Sequence, residues 1–277
     1  MQNLQNFHIL YINLDSRSDR RRHMENQLEK LNLLNRIDKQ THRISGVIGN
    51  KLKDEEYLTK IAKEFNINIE KMCCDYWFSR KNFKTMSRNK ERIMGQVGCY
   101  LGHLRAINYA IQHKLSPVVI LEDDCTFLNK KQISFPKVPS DAEIFYLGGL
   151  FWHQTRTPRP IPKNSHWLKI DTEYLKLPCA FAYGFNNIIT LENTATLLTS
   201  VWMDGKGRDK PDDWRSGEER IRATALDFMF LNFIQRTGNA YIISDVKAVQ
   251  SDYFMSDVTD VGKKTPKKPY KHSYFYS

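Results

Sequence analysis

Val118-Val119-Ile120-Leu121 runs straight into Glu122-Asp123-Asp124, so an apolar segment ends in three consecutive carboxylates. A short apolar run with β-branched content is the pattern of a strand buried on both faces, which commits the chain to a sheet covered on each side. Three adjacent acids repel one another, and solvent or a cation is needed to keep them ionised. Carboxylate oxygens are hard ligands that suit a divalent ion such as manganese or magnesium. The carboxyl end of a central strand is also where α/β proteins bind phosphorylated ligands, and a metal there would neutralise a diphosphate. A solvated acidic turn is the competing reading of the same residues.

The segments around this run alternate between strand and helix patterns. His8 to Leu14 is apolar and is followed by the turn and capping cluster Asp15-Ser16-Arg17-Ser18-Asp19, which predicts strand, turn and helix. Met24, Leu28 and Leu31 give that helix one apolar stripe. Its first turn carries Arg20, Arg21 and Arg22, where the helix dipole disfavours cations, so an anion such as a pyrophosphate is expected beside them. A solvated basic face paired with Glu25 and Glu29 is the alternative. Arg43 to Gly49 predicts a short strand and turn, and Asp54 is placed to cap a helix bearing Leu58, Ile61 and Phe65.

The stretch from Lys71 to Lys90 is irregular, aromatic and basic, and is expected to be a long loop. Beyond Gly95, the residues Val97, Leu101, Leu104, Ile107 and Ile111 predict a helix to about His113. Gly95, Gly98 and Gly102 lie mostly on one side of it, a cost that a helix accepts where close backbone approach is useful. His103, in the same element, is expected to be a hydrogen-bonded structural residue.

Further strands are expected at Glu143 to Gly148, Ala180 to Thr190 and Ala240 to Ser244. Gly148-Gly149 is expected to turn close to a ligand. Leu197, Leu198 and Val201 belong to one helix, Ala225 to Thr237 to the last, and Asp204 to Arg222 to a charged mobile loop. The pattern indicates an α/β sandwich, and the absence of GxxxxGK[ST] and GxGxxG sequences argues against a P-loop NTPase or a standard dinucleotide-binding fold.

Composition sets the outer bounds. With 41% apolar residues among 277 and no compositional break, residues 1–262 are expected to form one domain, and 263–277 a basic, mobile tail. Five cysteines, of which only Cys73 and Cys74 are neighbours, fit neither a zinc knuckle nor a regular disulfide framework, so the thiols are taken as structural. The start of the chain shows no basic leader and no long apolar segment, and with the odd thiol count this gives a cytoplasmic expectation. A net charge of +11 suits a nucleotide ligand, nucleic acid or an anionic membrane without choosing among them.

Three segments together resemble glycosyltransferase family 25, which includes lipooligosaccharide galactosyltransferases and collagen hydroxylysine galactosyltransferases. They are Tyr11-Ile-Asn-Leu-Asp15 followed by Arg20-Arg21-Arg22, then Gly95-Gln-Val-Gly98-Cys99-Tyr-Leu-Gly-His103, then Ile120-Leu-Glu122-Asp123-Asp124. The resemblance covers residues 8 to 128 and continues more weakly through Tyr183, Asp227 and Gln250. It departs at Gly102, where the family usually has serine before the histidine.

What the resemblance implies is a GT-A-like α/β/α sandwich with a mixed central sheet and long active-site loops. Its acidic motif, here Glu122-Asp123-Asp124, would hold manganese or magnesium against a UDP-sugar. Asp124 is the first expected metal ligand; Glu122 is a second and lies near the ribose or uracil, and Asp123 serves either end. Tyr11, Ile12 and Asn13 would flank the uracil, and Arg17 or Arg20 would reach the diphosphate. Inversion at the anomeric carbon needs a base, for which Asp227 is the first candidate, although Thr224-x-x-Asp227 also fits a capping box. Asp212, Asp213 and Glu218 follow as weaker candidates. Tyr183 and Trp214 are candidates to stack on a sugar, and Gln250 to line the cleft.

The expected reaction is transfer of galactose or glucose from a UDP-sugar to a hydroxyl of a glycan or a collagen-like hydroxylysine. No nucleic-acid partner is expected, and the basic tail leaves room for peripheral membrane contact. Two other classes compete: a basic nucleic-acid-binding protein, motivated by the charge and the basic aromatic stretch 76–92, and a metal-dependent nucleotidyltransferase.

Overall fold

The computed structural model describes residues 1–34, 40–67, 86–129, 131–149, 152–153, 166–170, 175–176, 181–203, 226, 230, 234–235 and 239–251. Strand β1 (His8–Asn13) leads into helix α1 (Ser18–Lys30), and β2 (Thr41–Ser45) into helix α2 (Glu55–Phe65). Helix α3 (Met86–Gln112) feeds β3 (Val118–Glu122), which is followed at once by β4 (Cys125–Phe127). Then come β5 (Ile144–Tyr146), β6 (Trp167–Lys169), β7 (Ala182–Phe185), helix α4 (Ile188–Met203), β8 (Ala240–Ile243) and β9 (Ala248–Gln250).

Seven strands form one mixed sheet in the order β2-β1-β3-β7-β5-β8-β6. β1 runs parallel to both β2 and β3, and β7 is antiparallel to β3 and β5. The acidic strand is therefore interior to the sheet, and Val118 to Leu121 are fully buried, as a both-face apolar run requires.

Helices lie on both faces of this sheet. Along β1 successive side chains point to opposite sides. The Tyr11 hydroxyl donates to Glu25 of α1, whereas Ile12 lies against Gly102 of α3. α1 and α3 thus cover opposite faces, giving the GT-A-like α/β/α sandwich. In register, Glu122 sits beside Ile12, and Tyr183 beside Ile120, so both Glu122 and Tyr183 project toward α3. The face assignment of the site follows from this parity.

The glycines of α3 permit close approach. A Cβ on Gly98 would lie 2.7 Å from the Val47 carbonyl oxygen and 2.8 Å from the Gly49 nitrogen. The 3-10 turn Gly49–Lys53 packs on the helix through this gap. Asp54 caps α2 by accepting from the Tyr57 N–H at 2.9 Å, as its position predicts.

Several expectations are corrected. α3 starts at Met86, within the stretch read as loop, because Met, Arg, Lys and Glu before Gly95 are good helix formers that the aromatic irregularity upstream obscured. The strand expected to reach Thr190 stops at Phe185, and Asn187 accepts from the Thr190 N–H at 2.9 Å to start α4. Gly148 meets protein backbone in place of a ligand: a Cβ there would be 2.0 Å from the Ala248 carbonyl oxygen. The expected loop 204–222 and the tail 263–277 lie outside the described residues, as does most of the last expected helix.

Candidate functional site

The acidic triplet sits where β3 ends and the chain turns into β4. Helix α1 secures that turn: the Gln27 side chain donates to the Cys125 carbonyl at 2.8 Å and accepts from the Phe127 N–H at 2.8 Å. β9 closes the other side, and the Ser251 N–H donates to the Asp124 carbonyl at 2.7 Å. Such pinning fixes the directions of three carboxylates that would otherwise separate.

Each carboxylate has a different environment. Asp123 accepts from Asn13 Nδ2 at 2.8 Å and from Arg20 Nη1 at 2.9 Å. Asn13 is itself held, accepting from Arg43 Nε at 3.1 Å and donating to the Arg17 carbonyl at 3.0 Å. Asp124 lies 3.1 Å from the same Arg20 Nη1 and accepts from Gln250 Nε2 at 3.4 Å, both at Oδ2. Its Oδ1 is buried with no hydrogen-bond partner among the described residues.

Glu122 turns the other way, toward α3. Its Oε1 is 3.0 Å from His103 Nε2 and accepts from the Cys99 thiol at 3.7 Å. On the far side of the imidazole, Nδ1 lies 2.9 Å from the Tyr183 hydroxyl.

The electrostatics separate these groups. Burial pushes the Asp124 carboxyl up to about 7, the neighbouring Glu122 charge adds to the shift, and Arg20 opposes it. Burial likewise raises Asp123, against Arg20 and Asn13. Burial also works against ionised Glu122, but the His103 hydrogen bond and charge outweigh it and hold that carboxyl below its usual range. An ionised Glu122 only accepts hydrogen bonds, so the proton sits on His103 Nε2. A buried carboxylate oxygen left without a partner costs on the order of 1–3 kcal/mol. Oδ1 of Asp124, beside carboxylates facing one guanidinium, therefore suits an oxygen-seeking divalent cation.

Other residues expected at the site fall in different places. Tyr11 is 2% exposed beneath α1, and burial with the Glu25 contact pushes its hydroxyl up to about 12. Ile12 is half-buried beside Gly102. Arg17 sits before α1 and pairs with Asp19 at 2.8 Å. Arg20 is buried on the two aspartates, while Arg21 pairs with Glu25 at 2.8 Å. Tyr183, a candidate for sugar stacking, is fully buried, with the Phe230 ring 5.0 Å from its own. Asp227, Trp214, Asp212, Asp213 and Glu218 lie outside the described residues.

His103 and Cys99 are the participants that sequence reasoning did not place at the site. Their spacing of four on a helix leading into the acidic strand was the available signal, because such residues share a face.

The fold is a GT-A-like α/β/α sandwich with an acid-bearing strand end inside its central sheet. Residues 6–175 match the family described as Glycosyltransferase family 25 (LPS biosynthesis protein), and the chain belongs to that family. A protein of Drosophila pseudoobscura pseudoobscura named "Glycosyltransferase 25 family member" is 29% identical over 120 residues. That match covers 43% of this chain and 16% of the relative's own length. Among the described residues no helix is long and apolar enough to cross a membrane.

Proposed function

We propose that this glycosyltransferase is metal-dependent and inverting, and moves galactose or glucose from a UDP-hexose to a hydroxyl of a glycan or a collagen-like hydroxylysine. The observation that carries the metal-dependent part is Asp124, whose buried, unpartnered Oδ1 stands at the end of a central strand. Asp124 is the first ligand in this reading, and Glu122, which turns toward α3, is left to the other face of the sheet. A bound manganese or magnesium ion would supply charge neutralisation for the departing diphosphate.

The chain's own residues prepare that position. Arg20 and Asn13 fix Asp123, and Gln250 and Arg20 fix Asp124, so little reorganisation is left for donor binding. In this reading Ile12 and Asn13, at the end of β1, border the nucleotide side, with Arg17 toward the diphosphate, while Tyr11 stands behind them beneath α1. In the transfer, the acceptor oxygen bonds to the anomeric carbon as that carbon's bond to the phosphate oxygen breaks. The electron pair leaves on UDP, and the hydroxyl proton passes to a carboxylate, for which Asp227 is the candidate.

The test is UDP release from a panel of UDP-sugars, with manganese or with EDTA, for the intact chain and Asp124→Ala. Manganese-dependent release from one UDP-hexose, lost in the variant, is the expected result. Failure of UDP and manganese to bind together in calorimetric titration would overturn the reading.

A further inference from the structure

On the α3 face of the sheet, away from the Arg20 side of the acidic triplet, three unlike ligand atoms converge. They are Cys99 Sγ, His103 Nε2 and a Glu122 carboxylate oxygen, all within 4.8 Å of one another. We propose that these residues form a site for a borderline-soft divalent transition metal, with zinc(II) as the ion their chemistry favours, separate from the hard-cation position at Asp124.

Three observations support it. The first is spacing. Zinc bonds of roughly 2.0–2.3 Å in a tetrahedron place N and O about 3.3 Å apart, and S and O about 3.5 Å apart. The corresponding distances are 3.0 Å and 3.7 Å, and the thiol and imidazole lie within 4.8 Å of each other, so the three side chains need only draw together to admit the ion.

The second is orientation. Cys99 and His103 are four residues apart on one helical face, and Glu122 is the last residue of an interior strand, so all three donors stand on rigid elements. The Tyr183 hydroxyl, 2.9 Å from Nδ1, holds the ring from behind. When metal takes Nε2, the ring proton moves to Nδ1 and is donated to Tyr183, the outer-shell arrangement that metal-bound histidines require.

The third is access. His103 is 1% exposed, but the Glu122 side chain is 24% exposed and Cys99 is half-buried, which leaves a path for the ion and a fourth position for water. A thiolate–imidazole–carboxylate set selects zinc over manganese or magnesium, while the aspartates favour the reverse. Binding releases the thiol proton alone, because the Nε2 proton stays with the ring by moving to Nδ1.

Cobalt(II) is the probe, because a cobalt–thiolate bond gives a charge-transfer absorption that oxygen ligands do not. Titration of the full chain is expected to develop that band, saturate at one cobalt, and lose it to added zinc. The band is expected to be absent from Cys99→Ser and present in Asp124→Asn, which separates this site from the donor reading. Tyr183→Phe is expected to weaken zinc binding by about 10–100-fold. Absence of the band from the intact chain, its persistence in Cys99→Ser, or its loss in Asp124→Asn would each overturn the proposal. Should Cys99→Ser not fold, alkylation of Cys99 in the intact chain, followed by peptide mass spectrometry, decides the matter. Zinc is expected to slow it at least about tenfold, and an unchanged rate would count against the site.

Discussion

Asp124→Asn isolates the cost of placing a carboxylate where this fold places it. Burial and the Glu122 charge raise the native carboxyl to about 7, whereas in the unfolded chain it titrates near its ordinary value of about 4. The native state therefore holds more protons between these values, and stability is full below pH 4 and is lost as pH rises through 7. Linkage over these two values gives a loss of about 2.5 kcal/mol between pH 5 and pH 8 from this single group. Asparagine does not titrate, so the variant lacks that slope. Its carbonyl oxygen can take the Arg20 and Gln250 contacts of Oδ2, which leaves the amide nitrogen in the place of unpartnered Oδ1, at a pH-independent cost of roughly 1–3 kcal/mol. The expected outcome is a variant less stable than the parent near pH 5 that gains on it by about 2.5 kcal/mol at pH 8. Urea unfolding of both chains in EDTA measures this, and comparing the two cancels the titration of other groups. A difference that stays constant with pH would refute the assignment of the raised carboxyl to Asp124.

Three further outcomes follow from the same geometry. If Asp124 ligates manganese, calorimetric affinity for UDP with manganese should rise about tenfold from pH 6 to pH 8, because a carboxyl titrating near 7 must lose its proton first; a flat profile would remove Asp124 from the ligand set. Arg20→Leu strips both buried aspartates of their guanidinium and should cost about 3–5 kcal/mol in urea unfolding at pH 8. The cost should shrink toward pH 5 as Asp124 protonates, and an equal cost at both would point to packing alone. Gly98→Ala drives a methyl into the Val47 and Gly49 backbone and should cost about 1–3 kcal/mol. Gly102→Ala, whose Cβ would meet the Ile12 side chain at 3.3 Å and the Gly46 and Val47 backbone only at an ordinary 3.8 Å, should stay within about 1 kcal/mol of the parent; similar melting of the two variants would contradict the close approach at Gly98.

Much of the frame was legible because burial imposes periodicity on a single chain. The both-face apolar run marked β3, the stripe of Met24 and Leu28 marked α1, and Asp54 marked the start of α2 through one side-chain acceptor. The helical glycines announced close approach, although what approaches Gly98 is the backbone at Val47 and Gly49, far along the chain. The start of α4 was missed because Asn187, a capping residue, follows directly on a strand pattern that continues in apolar Ile188 and Ile189.

The site itself divides along the same line. By its sequence alone the chain determined that three carboxylates end a buried strand, since that needs only residues 118–124 and the cost of burying polar groups. Which carboxylate does what was decided by tertiary structure. Arg20 reaches Asp123 across 103 positions, Gln250 reaches Asp124 across 126, and His103 meets both Glu122 and Tyr183. These meetings depend on the strand order β2-β1-β3-β7-β5-β8-β6 and on the parity that turns Glu122 toward α3. Local propensity carries no record of either, because both are set by how whole layers pack.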